Sequence, residues 1–406
     1  MAHQLKFSFD VVLAFLSPLI IIWVAYRLSA PWTWADLRGF LSLRYSKPFY
    51  GPFSLQKAYQ SYAKYSRLSA NEFSHKRTAY NSLSRTHKRL GHKLGYPEKL
   101  NKLQYVTDLN AVITEGIAEV ARKDLQVDDI HTGPGDLGRV REALKHFIRD
   151  WSEEGARERD RIFEPILTVL SQINPEERAQ KKVLVPGSGL GRLAWEISQL
   201  GFDTTANELS FFMSLAFRFL LSDEATTSKN QHHLRPYAHW FSHQRSNESL
   251  FRTVSFPDAI PRLTPNLQLA EVDFLTLSPP TRTLRNPESF WSSSGPQDLP
   301  GYDYIVTLFF IDTSLNIFAT IEHIFTLLRP GGTWINLGPL LWTSGGQAKL
   351  ELSLAEVINA ATEIGFIFRE DDICAQRAVE CEYTGDLSAM MRWVYKAEFW
   401  VAAKPK

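Results

Sequence analysis

The most constraining feature of this sequence is a glycine-rich stretch, Val183-Leu-Val-Pro-Gly-Ser-Gly-Leu-Gly-Arg-Leu-Ala-Trp-Glu-Ile-Ser198. A short apolar run leads into three alternating glycines, and a segment with helical apolar periodicity begins directly after them. This order predicts a strand, a tight loop and a helix. Glycine permits unusual backbone dihedral angles and lets a ligand approach the main chain, while the helix start offers unpaired N–H groups. The stretch therefore predicts a site for a nucleotide-like ligand.

The spacing of the glycines indicates which ligand this is. Gly187, Gly189 and Gly191 form the pattern G-x-G-x-G, whereas loops that bind dinucleotides follow G-x-G-x-x-G. The observed pattern favours S-adenosylmethionine (AdoMet), which has no pyrophosphate and whose amino acid tail lies beside such a loop. Glu208 ends the next predicted strand, at the interval expected for a carboxylate that binds ribose hydroxyls. The alternatives are a turn without a ligand and a solvated acidic residue.

Strands and helices alternate through the C-terminal part of the chain. Alternation of this kind predicts a parallel, doubly wound α/β sheet. With 406 residues, the chain can form one large domain with additions or two domains. We expect an apolar segment over 1–50, a helical region over 51–136, and the main domain over 137–406 with insertions at about 222–268 and 281–300.

Acidic residues close two further predicted strands. Asp273, followed by Phe274, stands where an AdoMet-binding fold places an acid for the adenine amino group and an aromatic ring beside the base. Asp312 closes the next strand, so it is expected to face the methyl group or the acceptor. A carboxylate there can orient a nitrogen nucleophile and accept its proton. Either aspartate could instead cap the helix that follows it.

Composition argues against several other functions. The net charge of +1 offers no general field for nucleic acid, and two cysteines fit a reducing compartment rather than a disulfide scaffold. Tyr59, Tyr62 and Tyr65 recur at helical spacing between basic residues, which favours aromatics facing a core over a nucleic-acid stripe. His239 and His243 lie four apart but lack further ligands for a tetrahedral zinc set, so no metal site is predicted.

The N-terminus contains an apolar segment, Val11–Tyr26 within residues 9–26, that is short for a bilayer span. Basic residues mostly follow it, which favours a membrane anchor with a cytoplasmic catalytic domain. An amphipathic or buried helix and a cleaved signal peptide remain as alternatives. A nuclear location is also open, and the sequence is compatible with both a monomer and a homodimer.

Several longer sequence motifs resemble the carnosine N-methyltransferase family. They are Arg149-Asp-Trp-Ser-Glu-Glu-Gly155, Leu184–Glu196, Asn207-Glu-Leu-Ser-Phe-Phe-Met213, Phe309-Phe-Ile-Asp-Thr313, Leu328–Leu341 and Asp386-Leu-Ser-Ala-Met-Met391. The resemblance covers roughly residues 50–406. It implies a Rossmann-like class I methyltransferase that uses AdoMet to methylate the imidazole of a small histidine dipeptide or peptide, at the nitrogen nearer the side-chain stem.

The same resemblance implies roles for individual residues. On the cofactor side it places His146, Arg149, Gly187, Gly189, Gly191, Glu208, Asp273, Phe274 and Leu308. On the substrate side it places Asp312, Thr343, Tyr383, Trp393 and Tyr395, with Asp312 pairing with the imidazole nitrogen that is not attacked. The chain departs from the family pattern at His146 (glutamine), Trp393 (tyrosine) and Thr343 (histidine). The last two departures leave the acceptor open.

The resulting hypothesis is an AdoMet-dependent N-methyltransferase with Asp312 as its catalytic residue. The product would be anserine if the acceptor is carnosine. A different nitrogen acceptor, such as a histidine in a peptide or protein, is an alternative. So are a dinucleotide oxidoreductase, which the loop spacing disfavours, and a non-catalytic relative that binds AdoMet.

Overall fold

The computed structural model describes residues 51–127, 135–281, 300–343 and 346–406. Four helices form its N-terminal region. Ser54 accepts a hydrogen bond from the Lys57 N–H and so caps the first helix, and Ser84 caps the third in the same way. Pro97 occupies the first turn of the fourth helix, where its missing N–H is not needed. The helices are α1 (Leu55–Ala63), α2 (Tyr65–Asn81), α3 (Arg85–Lys93) and α4 (Tyr96–Leu125).

The aromatic residues of these helices lie in the hydrophobic core. Tyr59, Tyr62 and Tyr65 are at most 1% exposed, which confirms that they face the core rather than solvent. The Tyr62 hydroxyl donates to the Phe212 carbonyl at 2.6 Å, and both residues belong to the cluster that packs against the sheet. Residues 52–406 thus form one compact unit. The boundary expected near residue 136 remains a prediction.

The remaining helices flank the sheet or connect its strands. Asp136 caps the first of them by accepting from the Arg139 N–H, and Ser353 with Glu356 forms a capping box at the start of the last. The elements are α5 (Leu137–Trp151), α6 (Ala156–Ser171), α7 (Pro175–Arg178), α8 (Arg192–Gln199), α9 (Phe211–Leu221), α10 (Asn247–Leu250), α11 (Ile317–Leu327) and α12 (Leu354–Ile364).

The strands include all those expected from the apolar runs, together with short ones that the sequence did not reveal. They are β1 (Lys182–Pro186), β2 (Asp203–Asn207), β3 (His232–Leu234), β4 (Val254–Phe256), β5 (Leu267–Ala270), β6 (Tyr302–Leu308), β7 (Leu328–Gly338), β8 (Ile367–Phe368), β9 (Arg377–Cys381) and β10 (Tyr395–Ala403). The strand β7 includes Arg329–Gly332, and its register opposite β6 is irregular between Tyr302 and Tyr304.

The sheet order is β5-β2-β1-β6-β7-β10-β8, with β9 also paired to β10. Strands β5, β2, β1, β6 and β7 run parallel, and β10 is antiparallel to β7. This confirms the doubly wound, mostly parallel sheet. The order of strands reverses between β1 and β6, because the strands after β1 are added on one side and those after β6 on the other. In open α/β sheets, ligands bind at the carboxyl ends of the strands beside such a reversal. The loops that follow β1, β2 and β6 therefore meet at one edge.

The expected insertion at 222–268 contains ordered structure. Its strands β3 and β4 pair antiparallel, and Leu234 and Phe256 are fully buried in the main core. The insertion expected at 281–300 lies almost entirely outside the described residues, as does the apolar N-terminal segment 9–26. Within the part of the chain that the structure describes, no helix is long and apolar enough to span a bilayer.

Candidate active site

The glycine loop adopts the left-handed backbone that its composition predicts. The φ angles of Gly187, Gly189 and Gly191 are 63°, 57° and 74°. A Cβ on Gly187 would lie 2.6 Å from Phe310, and one on Gly191 would lie 2.2 Å from Phe217. A Cβ on Gly189 would meet nothing closer than Asp150 Oδ2 at 4.0 Å. Gly187 and Gly191 are therefore required by packing, while the space beside Gly189 is open to a ligand.

Glu208 connects the glycine loop to the end of β2. Its Oε2 accepts from the Gly189 N–H at 2.9 Å, and its Oε1 accepts from the Ser210 N–H at 2.8 Å. Burial raises the pKa of this carboxyl, and the two backbone donors oppose that shift. The carboxylate thus holds the loop in place, and ribose binding by Glu208 remains a prediction.

A cluster of aromatic rings lies near the ends of β5 and β6. Phe274 is 6% exposed and packs edge-on against Phe310 (5.3 Å between ring centroids) and His323 (4.9 Å). Asp273 is exposed, and its Oδ1 accepts from the Leu275 N–H at 3.0 Å, so it caps the short turn that follows. Leu308, the last residue of β6, is partly buried. Contact between Phe274 and the adenine base remains a prediction, while Asp273 performs the capping role that was its alternative.

Asp312 lies in a single 3-10 turn, Ile311–Thr313, which is separated from the end of β6 by Phe309 and Phe310. It is 3% exposed, and its Oδ2 accepts from the Leu341 N–H at 3.0 Å. Its backbone carbonyl accepts from the Thr343 N–H at 3.0 Å, so the segment after β7 is fastened to this turn. Burial raises the pKa of Asp312, and the Leu341 donor opposes the shift. The result is a carboxylate fixed at the edge of the sheet where the loops converge.

Three aromatic rings stand beside this edge. The Phe309 ring stacks on Tyr383 (4.5 Å between centroids, 30° between planes) and meets Tyr395 edge-on at 5.6 Å. Phe309 has a φ of 51°, which is strained for a residue with a side chain, and such strain concentrates at functional sites. Tyr383 and Tyr395, both expected on the substrate side, are thus brought together. Phe309 was not expected there, although its place before Asp312 could have indicated it.

The C-terminal turn of α5 faces the same loops. His146, Arg149 and Asp150 recur there at helical spacing, and each is at most 9% exposed. Arg149 Nε donates to Asp150 Oδ1 at 2.7 Å, and the guanidinium lies 4.2 Å from the centroid of the Tyr383 ring. His146 meets the same ring edge-on at 5.8 Å. His146 and Arg149, both expected on the cofactor side, therefore contact the Tyr383 ring, and Asp150 is a buried charge that sequence reasoning missed.

Tyr383 is positioned by Glu158 of α6. The Thr384 N–H donates to Glu158 Oε1 at 2.7 Å, and the Gly385 N–H donates to Oε2 at 3.2 Å. Burial raises the pKa of Glu158, partly offset by Arg149. A single carboxylate thus fixes the loop that follows the ring.

Replacing Glu158 with alanine is expected to raise the KM for the methyl acceptor by roughly tenfold, because two backbone donors lose a charged acceptor. Cofactor affinity should fall less, since the glycine loop and Glu208 are untouched. Steady-state kinetics with each substrate varied would measure both effects. Glu142→Ala, which removes an exposed carboxylate on α5, is the matched control. Equal losses for acceptor and cofactor would contradict this role.

Two of the expected substrate residues are less enclosed. Thr343 is exposed and is tied to Asp312 through its backbone, while Trp393 is 68% exposed. Among the described residues, no group of three His, Cys, Asp or Glu side chains is arranged to hold a metal ion. His239 instead forms a 3.0 Å hydrogen bond with the Tyr65 hydroxyl. The roles of Thr343 and Trp393 remain predictions.

The strand order, the antiparallel β10 and the glycine loop at the end of β1 together define a Rossmann-like fold of the class I methyltransferase type. Residues 126–406 match the family described as carnosine N-methyltransferase. The chain belongs to this family, which confirms the resemblance noted in its motifs.

Two relatives of known name agree with this assignment. The carnosine N-methyltransferase of Mus musculus is 34% identical over 280 residues, which are 67% of this chain and 64% of that protein. The enzyme of the same name from Schizosaccharomyces pombe is 31% identical over 331 residues, 76% of this chain and 83% of that one. The chain therefore spans a little under two thirds of the mouse relative. A solved structure of Haemonchus contortus phosphoethanolamine N-methyltransferase 2 aligns with a TM-score of 0.39 and 13% identity, over 66% of this chain and 58% of that one.

Proposed function

We propose that this chain transfers a methyl group from AdoMet to an imidazole ring nitrogen of a small histidine-containing molecule such as carnosine, giving anserine. The observation that carries the proposal is the buried Asp312 carboxylate, which the Leu341 N–H fixes just beyond the carboxyl end of β6. Membership of the carnosine N-methyltransferase family supports the choice of acceptor. The proposed site needs a cofactor, and the residues present fit AdoMet.

The fit rests on the open space beside Gly189 and on the groups that surround it. Glu208 lies within hydrogen-bond distance of that glycine and offers carboxylate oxygens to ribose hydroxyls. Phe274 and Phe310 provide an apolar surface for adenine. Arg149 Nη1 is buried without a hydrogen-bond partner, so a donor is available for the amino acid tail. When bound, AdoMet supplies an electrophilic methyl group on a sulfonium.

The chain's own residues have a limited chemical task. Neutral imidazole is already a competent nucleophile near pH 7, because its conjugate acid has a pKa of about 6.5. Asp312 would accept the N–H of the ring nitrogen that is not methylated, which fixes the tautomer and leaves the lone pair on the other nitrogen. As the ring becomes positively charged, the same carboxylate stabilises it and takes the proton. The rings of Phe309, Tyr383 and Tyr395 would pack against the imidazole and exclude water.

A direct assay distinguishes carnosine from other methyl acceptors. Purified protein is incubated with methyl-labelled AdoMet and, in parallel, carnosine, a histidine-containing peptide and a protein extract. The proposal expects label in carnosine, with the product matching anserine rather than its isomer methylated on the other nitrogen. Label only in peptide or protein would favour a different acceptor. A protein that binds AdoMet and labels nothing would be a non-catalytic relative.

The pH dependence of kcat/KM for carnosine should show two protonations on its acid side. The substrate imidazole must be neutral, which sets a limb near its own pKa of about 6.5. Asp312 must be ionised to accept the ring N–H, and because burial raises its pKa, its limb lies above that of an ordinary aspartate. Activity is therefore lost as pH falls through both values, with a logarithmic slope that approaches 2. In Asp312→Asn the residual activity should follow only the substrate limb, and an unchanged two-limb profile would contradict the assignment.

A further inference from the structure

One arginine of the insertion at 222–268 joins it to two other parts of the chain. Arg252 lies just after α10, and its Nη2 donates to Asp386 Oδ1 at 2.8 Å and to Glu154 Oε1 at 2.6 Å. Its guanidinium also lies 4.0 Å from the centroid of the Tyr237 ring. Asp386 belongs to the segment between β9 and β10, and Glu154 to the turn that follows α5. A single side chain thus connects three regions that are distant in sequence.

The Asp386 carboxylate accepts hydrogen bonds on both of its oxygens. Its Oδ1 also accepts from the Ser388 N–H at 2.9 Å, and its Oδ2 accepts from Gln244 Nε2 at 3.1 Å. Further along the same segment, the Met390 N–H donates to the His243 carbonyl at 2.6 Å. The insertion therefore holds this segment through side chains and through the backbone.

The largest apolar side chains of this segment do not fasten it to the core. Leu387 and Met390 are 54% and 65% exposed. The ion pair between Arg252 and Asp386 is better shielded, with side chains 19% and 12% exposed, and hydrogen bonds between charged groups are stronger than those between neutral ones. The polar contacts from α6 and from the insertion therefore determine where the segment lies.

This segment connects two of the aromatic rings at the site. Tyr383 precedes Asp386 and Tyr395 follows it, and both rings contact Phe309. Because the backbone between Tyr383 and Asp386 is short, a displacement of the aspartate shifts the Tyr383 ring against Phe309. We propose that Arg252 is a positioning residue for the methyl acceptor, which acts by holding Asp386 and thereby Tyr383. The inference rests on the proposed function, which places the Tyr383 ring against the imidazole.

Steady-state kinetics with the acceptor varied tests the proposal. Arg252→Gln leaves two partly buried carboxylates without their cation, so the KM for carnosine should rise roughly tenfold while kcat stays within about twofold of wild type. Arg252→Lys keeps the charge but not the planar fork, and it should restore part of the lost affinity. Binding of S-adenosylhomocysteine should be unchanged in both variants. Arg245→Gln, which neutralises an exposed arginine of the same insertion, is the matched control.

A double-variant cycle and hydrogen exchange distinguish positioning from a loss of stability. If Arg252 acts through Asp386, adding Asp386→Asn to Arg252→Gln should raise the KM by no more than about twofold over the more affected single variant. Backbone amides over 384–390 should exchange roughly tenfold faster in Arg252→Gln, with those of the central strands unchanged. A fall in kcat at an unchanged KM is the result of lost stability alone and would overturn the proposal. Unchanged exchange over 384–390, or KM increases that multiply in the double variant, would overturn it too.

The outcomes also distinguish this inference from the proposed function. If the wild type labels a peptide or protein instead of carnosine, the proposed acceptor is wrong, and the KM is measured for the labelled acceptor with the same expectations. Faster exchange over 384–390 in Arg252→Gln with an unchanged acceptor KM would overturn the positioning role and leave the proposed function intact. A wild-type protein that labels no acceptor would contradict both.

Discussion

Asp312→Ala is expected to lower turnover by roughly 10²- to 10⁴-fold, the range that a positioned acid–base group contributes. The carboxylate is 3% exposed and accepts the Leu341 N–H, so its loss removes the partner of the imidazole and leaves that donor unpaired. Cofactor affinity should be nearly unchanged, because Glu208 and the glycine loop lie on other strand ends. Single-turnover assays and calorimetry with S-adenosylhomocysteine would separate the two effects.

The matched control for this prediction is Asp372→Ala, which removes an exposed aspartate that has no expected role in the site. It should leave both turnover and affinity within twofold or so of wild type. Near-normal methylation by Asp312→Ala, with the protein folded and saturated with cofactor, would remove Asp312 from the mechanism.

The second large effect is expected at Gly191. Alanine there must adopt a φ of 74° and places its Cβ 2.2 Å from the Phe217 ring. The left-handed backbone costs roughly 1–2 kcal/mol and the overpacking about 1–3 more, so the free energy of unfolding should fall by about 2–5 kcal/mol. Denaturant titration measures this loss, which is a large part of a typical domain's stability.

Two other glycines serve as controls because they share the backbone but not the clash. A Cβ on Gly346, whose φ is 78°, meets no described atom within 4 Å. The free energy of unfolding of Gly346→Ala should therefore fall only by the backbone strain, roughly 1–2 kcal/mol. Gly189→Ala should be about equally stable, yet it fills the open space at the loop and should weaken binding of AdoMet by roughly tenfold or more. Equal stability losses at Gly191 and Gly346 would show that contact with Phe217 is unimportant. Unchanged AdoMet affinity in Gly189→Ala would place the cofactor tail elsewhere.

Most of the central sheet could be predicted from the sequence because its strands carry clear local patterns. The run Val183–Pro186 is apolar and ends at glycines, and in Tyr395–Ala403 apolar residues alternate with Lys396 and Glu398 before a continuous apolar run. The strands β8 and β9 escaped detection because they are short and partly exposed, so neither periodicity nor a long apolar run marks them. Their pairing with β10 is a tertiary property.

The site residues that the sequence predicted best are those that follow the ends of strands. Glu208 and Asp312 were found because Glu208 directly follows β2 and Asp312 follows the apolar run of β6, both at the carboxyl ends of parallel strands. Asp150 and Glu158 were missed because they sit on helices before the sheet, and their relation to Gly189 and Thr384 depends on how α5 and α6 pack. The helical spacing of His146, Arg149 and Asp150 was the available signal.

The central claim is that the chain methylates an imidazole nitrogen, and the structure of the product tests it most directly. Purified protein is given carnosine and AdoMet carrying a ¹³C-labelled methyl group, and the product is examined by NMR for coupling between that methyl and the ring. We expect the label on the ring nitrogen nearer the side-chain stem, in amounts that grow with time and that form at least roughly 100-fold more slowly in Asp312→Ala. Label on the other ring nitrogen, on the amino group, or nowhere while AdoMet binds normally would contradict the account.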